Sequence, residues 1–162
     1  RRTIGAIRFP WSGDRGRSRP VFLCHGCFDL LHIGHLDHLM QVRKLADQQH
    51  GIVYVSITGD EFVAKGPGRP LMPEEERAAI LWALKCVDRV VISPFFTGVN
   101  AINTIKPRWY CKGPDYYGKE KTDPNLAVEV QAVRAIGGDI LYTTSPVHHS
   151  TDYLERYLNA NR

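Results

Sequence analysis

The segment His-Gly-Cys-Phe-Asp-Leu-Leu-His-Ile-Gly-His, residues 25–35, decides the fold of this chain. An apolar run at residues 21–25 predicts a strand at its start, and apolar side chains at helical spacing predict a helix over residues 33–48. His32 and His35 lie three positions apart, so they share one face of the first turn of that helix. Because free backbone N–H groups and the helix dipole attract phosphate there, the segment predicts a phosphate site between a strand and a helix.

The same alternation of strands and helices continues along the chain. Four more apolar runs predict strands at residues 52–57, 89–92, 109–111 and 140–142. Helical patterns follow from Pro73, with an apolar face of Ile80, Leu81 and Leu84, and at residues 99–105, 126–136 and 151–158. Such alternation is typical of an α/β domain, so we predict one Rossmann-like, five-stranded parallel sheet flanked by helices. Ligands bind at the carboxyl ends of such strands, which selects the loops at residues 26–33, 59–72 and 112–124.

The composition excludes several classes of protein. A chain of 162 residues with 43% hydrophobic and 23% charged side chains is globular and fits one domain, not a collagen-like, disordered or coiled-coil chain. No apolar run approaches the roughly 20 residues that a membrane helix needs. We therefore expect no membrane partner and a cytoplasmic location.

The positive charge is concentrated at one end. Residues 1–19 hold six of the 21 basic side chains and one of the 17 acidic ones, so the rest of the chain is nearly neutral. A basic arm can bind nucleic acid, but its Arg, Gly, Ser and Pro content is more typical of a flexible linker. We predict a linker at residues 1–19, a domain at residues 20–162, and no nucleic-acid partner. The sequence leaves open whether the linker leads to another domain of a fusion chain.

The cysteines allow a second interpretation of the first loop. Cys24, Cys27, His32 and His35 form a C-x2-C-x4-H-x2-H pattern of zinc-ligand residue types. Alternation buries Cys24 in the first strand, and Cys27 belongs to a turn that has its own explanation. We therefore expect neither a zinc site nor a disulfide.

Several motifs resemble one enzyme superfamily. G-x-F-D-x-x-H-x-G-H at residues 26–35 resembles the signature of the nucleotidyltransferases that include cytidylyltransferases, pantetheine-phosphate adenylyltransferase and heptose-phosphate adenylyltransferases. Lys65-Gly-Pro-Gly-Arg-Pro with Arg77 resembles their K-G-x-x-R-P…R block, and residues 87–91 resemble their V-D-x-V strand. Lys106-Pro107 and Lys112-Gly-Pro-Asp-Tyr resemble a segment of the heptose-phosphate branch. The resemblance extends over residues 21–158.

The resemblance implies a reaction. An NTP, expected to be ATP, and a phosphorylated acceptor of the heptose 1-phosphate type would give a nucleotide conjugate and pyrophosphate. The acceptor phosphate would attack the α-phosphorus in line without a covalent enzyme intermediate, so the protein would contribute positioning and charge stabilisation. Mg²⁺ would accompany the NTP with few protein ligands, so no metal-ligand residue is predicted. A homodimer is expected.

The resemblance also assigns roles to residues. His32, His35, Lys65 and Lys112 would be catalytic. From the place of Lys112 just after a predicted strand, we also expect a cation that draws two anionic substrates together. We expect Lys112→Ala to leave the melting temperature within a few degrees. The nucleotide-binding residues would be Gly26, Cys27, Phe28, Gly34, Arg69, Arg77, Ser150 and Thr151. The acceptor-binding residues would be Asp29, Asp115 and Tyr116.

Some of these residues have simpler interpretations. Arg77 could pair with Glu74 on its own helix, Asp29 could fix its turn through backbone amides, and Ser150 and Thr151 could only cap the last helix. Asp60 is a weak further candidate for nucleotide contact.

Two other functions compete with the adenylyltransferase. One is a cytidylyltransferase acting on a small alcohol phosphate, but residues 143–151 lack the Arg of the glycerol-phosphate branch, unless His148 or His149 replaces it. The other is a non-catalytic nucleotide- or RNA-binding module that uses the basic arm. The presence of both histidines, Lys65 and Lys112 argues against that module.

Overall fold

A computed structural model describes residues 19–144 and 146–160. The described part contains five strands and five helices, in the order β1 (Val21–Gly26), α1 (Ile33–Gln48), β2 (Ile52–Thr58), α2 (Glu74–Trp82), β3 (Arg89–Ser93), α3 (Val99–Ile105), β4 (Trp109–Lys112), α4 (Pro124–Ala135), β5 (Asp139–Tyr142) and α5 (Ser150–Ala160). All four strand pairings are parallel. The predicted five-stranded α/β fold is confirmed.

The sheet order places the first loop at the centre of the molecule. The strands lie in the order β3-β2-β1-β4-β5. The chain therefore builds outward from β1 on one side and then crosses to β4 on the other. The connection after β1 runs to one face of the sheet, and the connection after β4 runs to the other face. A crevice therefore opens between the two loops at the carboxyl ends of these strands.

The core lies on both faces of the sheet, as parallel sheets require. Consecutive β1 residues point to opposite faces: Phe22 joins the cluster under α1 and α2, and Leu23 joins the cluster under α3 and α4. Both side chains are fully buried. This double anchoring holds β1, and with it the turn that follows, in a fixed position.

Helix α2 corrects one detail of the predicted core. Ile80, predicted on the apolar face, is 38% exposed, whereas Arg77, Ala78 and Leu81 are buried. The helix is rotated because Arg77 finds hydrogen-bond partners inside the protein, as described below. Among the described residues, no helix combines the length and apolar character needed to cross a membrane.

The basic arm falls largely outside the described residues, which begin at Arg19. The guanidinium of Arg19 donates hydrogen bonds to the backbone carbonyls of His50 and Gly51, at 2.7 and 3.1 Å. Arg19, the last residue of the predicted linker, therefore contacts the folded domain.

Deletion of residues 1–18 is expected to leave turnover and thermal stability nearly unchanged, because we interpret this segment as a linker. Deletion of residues 1–19 should cost more stability, since it also removes the two Arg19 hydrogen bonds, each worth about 1 kcal/mol. Thermal unfolding and turnover of the two truncated chains test this. Salt-sensitive RNA binding that disappears with residues 1–18 would contradict the linker interpretation.

Candidate active site

A cleft of about 610 Å³ opens at the carboxyl ends of β1 and β4. Its walls come from the turn after β1, the loop before α2, the loop after β4 and the segment leading into α5. The cleft brings together twelve of the residues predicted from the sequence: Gly26, Cys27, Phe28, His32, Gly34, His35, Lys65, Lys112, Asp115, Tyr116, Ser150 and Thr151.

The two histidines form a stacked pair at the beginning of α1. His32 occupies the N-cap position and His35 the third helical position, and their ring centroids lie 3.8 Å apart. The backbone N–H of His32 donates to Nδ1 of His35 over 3.3 Å. A neutral imidazole that accepts at Nδ1 carries its proton on Nε2. His35 therefore has an N–H donor available at the helix terminus, where a phosphate would bind.

Both rings are neutral at pH 7. Burial, followed by the electrostatic cost of a second positive charge next to His32 and Lys65, lowers the pKa of His35 to about 3. Burial, followed by the charges of His148 and Lys65, also lowers the pKa of His32. The pair can accordingly donate hydrogen bonds as neutral imidazoles. An incoming polyphosphate brings opposite charge and would raise both pKa values.

The lowered pKa of His35 has a consequence for stability against pH. Below pH 6.5 the unfolded chain protonates this histidine, whereas the folded chain stays neutral until about pH 3. The unfolded state then binds more protons, so the free energy of unfolding should decrease as the pH is lowered from 6.5 to about 3. Denaturant titrations at pH 7 and pH 5 measure the free energy of unfolding, and its decrease between the two pH values should be smaller in His35→Gln than in the wild type. His50→Gln, at an exposed position, is the control, and equal losses in all three proteins would contradict the interpretation.

Two glycines allow close contacts within the cleft wall. A Cβ on Gly26 would lie 3.3 Å from the ring of Phe28, which itself packs 5.0 Å from the His35 ring. A Cβ on Gly34 would lie 3.0 Å from His148 and 3.2 Å from the His32 ring. Gly34 therefore lets the segment before α5 cover the beginning of α1, which no local pattern predicted.

Asp29 and Arg69 hold the wall of the cleft and do not line it. Asp29 is fully buried and accepts backbone N–H groups from Leu71 and Met72, and its carboxylate pairs with Arg69 at 2.7 Å. Burial opposes its charged form, but those amides and Arg69 outweigh burial and lower the pKa of Asp29. The structure therefore does not support the predicted acceptor contact of Asp29 or nucleotide contact of Arg69. The simpler interpretation, that Asp29 fixes the backbone through amide groups, fits the structure. The amides are not those of its own turn, however, but those of Leu71 and Met72 in the loop before α2.

The same contacts connect three segments around the cleft. Arg69 also donates to Oγ of Ser150 over 3.3 Å, at the first residue of α5. Lys65, on the same loop, donates from Nζ to the backbone carbonyl of Asp29 over 3.1 Å and still lines the cleft. Of the cations in the K-G-x-x-R-P block, Lys65 is thus the one placed to meet a ligand.

Arg77 is a structural residue in this fold. Its side chain is inaccessible, and its guanidinium donates to three carbonyls and pairs with one carboxylate: those of Cys27, Thr58, Met72 and Asp60. The predicted nucleotide contact is therefore not supported, and neither is a pair with Glu74, whose carboxylate accepts the Asp60 N–H. Arg77 instead fastens the first loop to α2. The carboxylate of Asp60, the weak candidate for nucleotide contact, is the partner of Arg77 in this ion pair.

Lys112 lines the cleft, but it is not a solvated cation. It is 6% exposed, and its Nζ lies 3.0 Å from Oε2 of Glu129 and 4.3 Å above the ring of Tyr116. The other oxygen of Glu129 accepts the Gly98 N–H over 2.7 Å. The burial of this pair argues against the expectation that Lys112→Ala spares stability, because the removal of Lys112 would leave a buried carboxylate unpaired.

Sequence analysis assigned no role to His25 and His38 of the cleft, and it named His148 only as a replacement for a missing Arg. His25 is the last residue but one of β1, and its Nδ1 lies 3.1 Å from Oγ of Ser56. Burial, followed by the charge of Lys112, lowers the pKa of His25 to about 4. His38 lies 2.9 Å from Oγ1 of Thr143. The H-x-x-H-x-x-H spacing of α1 could have indicated His38, whereas His148, 6.4 Å from the His32 ring, arrives by tertiary folding alone.

The carboxylates of the cleft do not form a metal centre. Asp115 and Asp152 line it, but no group of three or more His, Cys, Asp or Glu within residues 19–144 and 146–160 is arranged to hold a metal ion. All four cysteines are free, and Cys24 faces Cys111 in the sheet. This donor set fits a cation carried mainly by phosphate oxygens, which is how Mg²⁺ commonly accompanies nucleotides.

Sequence comparison relates this chain to known bifunctional proteins. The bifunctional protein HldE of Syntrophotalea carbinolica is 36% identical over 149 residues, which cover 90% of this chain and 28% of that protein. HldE of Geobacter metallireducens is 34% identical over 150 residues, or 91% of this chain and 29% of that protein. The chain thus spans less than a third of the length of these relatives.

A solved structure and a family model extend the comparison. The lipopolysaccharide core biosynthesis protein of Thermoplasma volcanium GSS1 superposes with a TM-score of 0.61 at 25% identity, over 79% of this chain and 98% of that one. The model of the cytidylyltransferase-like family matches residues 23–156, which include every wall of the cleft. The resemblance of the first loop is therefore confirmed, and the chain belongs to the cytidylyltransferase-like family.

Proposed function

We propose that this chain is a nucleotidyltransferase that transfers the adenylyl group of ATP to a sugar phosphate of the heptose 1-phosphate type and releases pyrophosphate. The observation that carries the proposal is the stacked, neutral histidine pair at the beginning of α1, beside Lys65, in the crevice next to β1. Similarity to bifunctional HldE proteins and to a lipopolysaccharide core biosynthesis protein supports a carbohydrate acceptor.

The proposed chemistry needs one bond to form and one to break at phosphorus. An acceptor phosphate oxygen attacks the α-phosphorus, and the bond from that phosphorus to the bridging oxygen breaks. Negative charge moves onto the departing pyrophosphate. N–H donors of His32 and His35 and the ammonium of Lys65 are positioned to stabilise that charge in a site where water screens poorly.

Mg²⁺ would neutralise part of the charge of the triphosphate in this reaction. Asp115 and Asp152 are the carboxylates of the cleft that could contact it.

We also propose a cytoplasmic homodimer. The relatives are bifunctional proteins, and this chain matches less than a third of their length, which supports a role for such domains within longer chains.

A screen of nucleotides against acceptors tests the function. Pyrophosphate release is measured with each of four NTPs and with heptose 1-phosphate, glycerol 3-phosphate and phosphocholine. ATP with heptose 1-phosphate should give the fastest release, and His35→Ala serves as the inactive control. Fastest release with CTP and a small alcohol phosphate would favour the cytidylyltransferase. No release with any pair, despite nucleotide or RNA binding, would favour the binding module.

A further inference from the structure

Two free thiols face each other across the two central strands of the sheet. Cys24 of β1 is directly opposite Cys111 of β4 in the parallel register, and strands that pair in this way lie about 4.8 Å apart. Both side chains belong to the same core cluster, so they point to the same face of the sheet. The Cα separation falls within the range of roughly 4.4–6.8 Å that a disulfide bridges. A bond between the two sulfurs therefore needs no rearrangement of the strands.

The two thiols polarise each other in opposite directions. The hydrogen bond from Cys111 is the largest influence on Cys24 and, together with the ring of His38, it outweighs burial and lowers the pKa of Cys24. Burial, followed by the hydrogen bond with Cys24, raises the pKa of Cys111. The pair thus favours one thiolate stabilised by one thiol. The thiolate is the nucleophilic form of cysteine, so this pairing makes the sulfurs more reactive than two isolated buried thiols.

His38 adds a base beside the pair. It lies one turn beyond His35 on the same face of α1, and its Nδ1 is 2.9 Å from Oγ1 of Thr143, which fixes the ring. A thiol next to a base that is itself held by a third group is the arrangement that activates nucleophilic cysteines. The proposed nucleotidyl transfer uses neither thiol and assigns no step to His38.

The cleft gives access to the pair from one side. Cys111 and His38 line the cleft, although Cys111 is only 1% exposed, whereas Cys24 is fully buried. A reagent that reaches these sulfurs must therefore be small, and an uncharged one avoids the cost of entering the core. Hydrogen peroxide meets both conditions. A large, charged disulfide such as oxidised glutathione meets neither.

The other two cysteines are placed differently. Cys27 forms a C-x-x-C pattern with Cys24, but it lies in the turn after β1, where its carbonyl accepts a hydrogen bond from Arg77. Burial raises the pKa of Cys27 and of Cys86. Cys86 precedes β3, which β2 separates from β1. The strand register, and not the sequence spacing, therefore selects the partner of Cys24.

We propose that Cys24 and Cys111 form a redox-modification site, at which a hydroperoxide converts the two thiols reversibly into a disulfide that joins β1 to β4. The proposal does not depend on the nucleotidyltransferase function.

The oxidation balances with hydrogen peroxide as the only oxidant. Cys111, on the cleft side, passes its proton to Cys24 along their hydrogen bond and attacks one peroxide oxygen. The O–O bond breaks, and the departing hydroxide takes a proton from the solvent to give water and a sulfenic acid. Cys24 then gives its proton to His38 and attacks the sulfur of Cys111. The S–O bond breaks, and the second hydroxide leaves as water with the proton from His38. Two thiols lose two electrons, and the peroxide gains them.

The wild-type protein provides the first test. The native protein is treated with about a tenfold excess of hydrogen peroxide, unfolded, and treated with an alkylating reagent that blocks free thiols. Two of the four cysteines should escape alkylation, the chain should lose about 2 Da before labelling, and dithiothreitol should restore all four thiols. Four alkylated thiols, or a gain of oxygen without a cross-link, would overturn the proposal.

The identity of the linked cysteines is the second test. Trypsin leaves Cys24 and Cys27 on one peptide, residues 18–43, and Cys86 and Cys111 on residues 86–89 and 109–112. In Cys27→Ser, the disulfide should still form and should join residues 18–43 to residues 109–112. The matched variant Cys86→Ser should also form it, whereas Cys111→Ser should not. A disulfide that disappears in Cys27→Ser, or that links any other two peptides, would overturn the proposal. Mapping of the wild type and Cys27→Ser decides this even if Cys111→Ser does not fold.

Discussion

Replacement of His35 by alanine is expected to lower kcat at least about 10²-fold, on the scale of losing one preorganised donor at a developing charge. The reason is geometric: its Nδ1 accepts the His32 N–H, so the proton sits on Nε2 at the helix terminus. The donor is in place before the reaction and needs no reorganisation. His32→Ala should have an effect of the same order, because the stacked rings position one another.

The split between kinetic constants identifies the role of the pair. A donor that acts on the leaving pyrophosphate changes kcat and kcat/KM together and leaves the KM for ATP nearly unchanged. His35→Gln should retain part of the activity, since its amide can offer an N–H near the same place. His50→Gln, at an exposed position after the end of α1, is the control for loss of a histidine as such. Unchanged kcat with a raised KM for ATP in both alanine variants would show that the pair only binds the ground state.

Lys112→Ala is expected to lower both stability and activity. Loss of one partner from a buried ion pair costs about 3–5 kcal/mol, because the remaining charge stays buried. Here the remaining charge is Glu129, which is 3% exposed and held by the Gly98 N–H. Denaturant unfolding measures this loss. Lys119→Ala, at an exposed position of the loop that follows Lys112, should stay within about 0.5 kcal/mol of the wild type.

A double variant separates the two consequences of losing Lys112. In Lys112→Met with Glu129→Gln, the buried charge is gone while the amide oxygen can still accept the Gly98 N–H. Much of the stability should return, since neutral replacement of a buried pair is often tolerated. The activity should stay low, because the cation that Lys112 contributes to the cleft is missing. Recovery of wild-type kcat/KM in this double variant would show that Lys112 serves structure alone.

Local pattern was sufficient for the elements that carry their own signals. The predicted bounds of α1 and α3 agree with the structure, because their periodic apolar residues and their ends are encoded within each segment. Helix α4 begins at Pro124, two residues before the prediction. The Asp123 cap and a proline in the first turn are local signals as well, so this error lay in the interpretation and not in the sequence.

The sequence by itself also determined the centre of the site. A glycine-containing turn between an apolar strand and a helix with two histidines on its first turn requires only local geometry, and Gly26, His32 and His35 meet in the cleft as expected. The parallel sheet followed from the alternation of elements, since parallel neighbours need crossovers. The carboxyl-edge position of the cleft followed from the sheet.

Tertiary structure alone decided what each cation does. Local sequence does not distinguish the four cations of the predicted site. In the structure Lys65 lines the cleft, whereas Arg69 and Arg77 form ion pairs within its walls. Lys112 pairs with Glu129 and also lines the cleft. The partners of Arg69, Arg77 and Lys112 lie 40, 17 and 17 residues away along the chain. Whether a charge stays solvated or pairs depends on how far burial removes it from water and on which opposite charge packs beside it. Both conditions arise only when distant segments pack together.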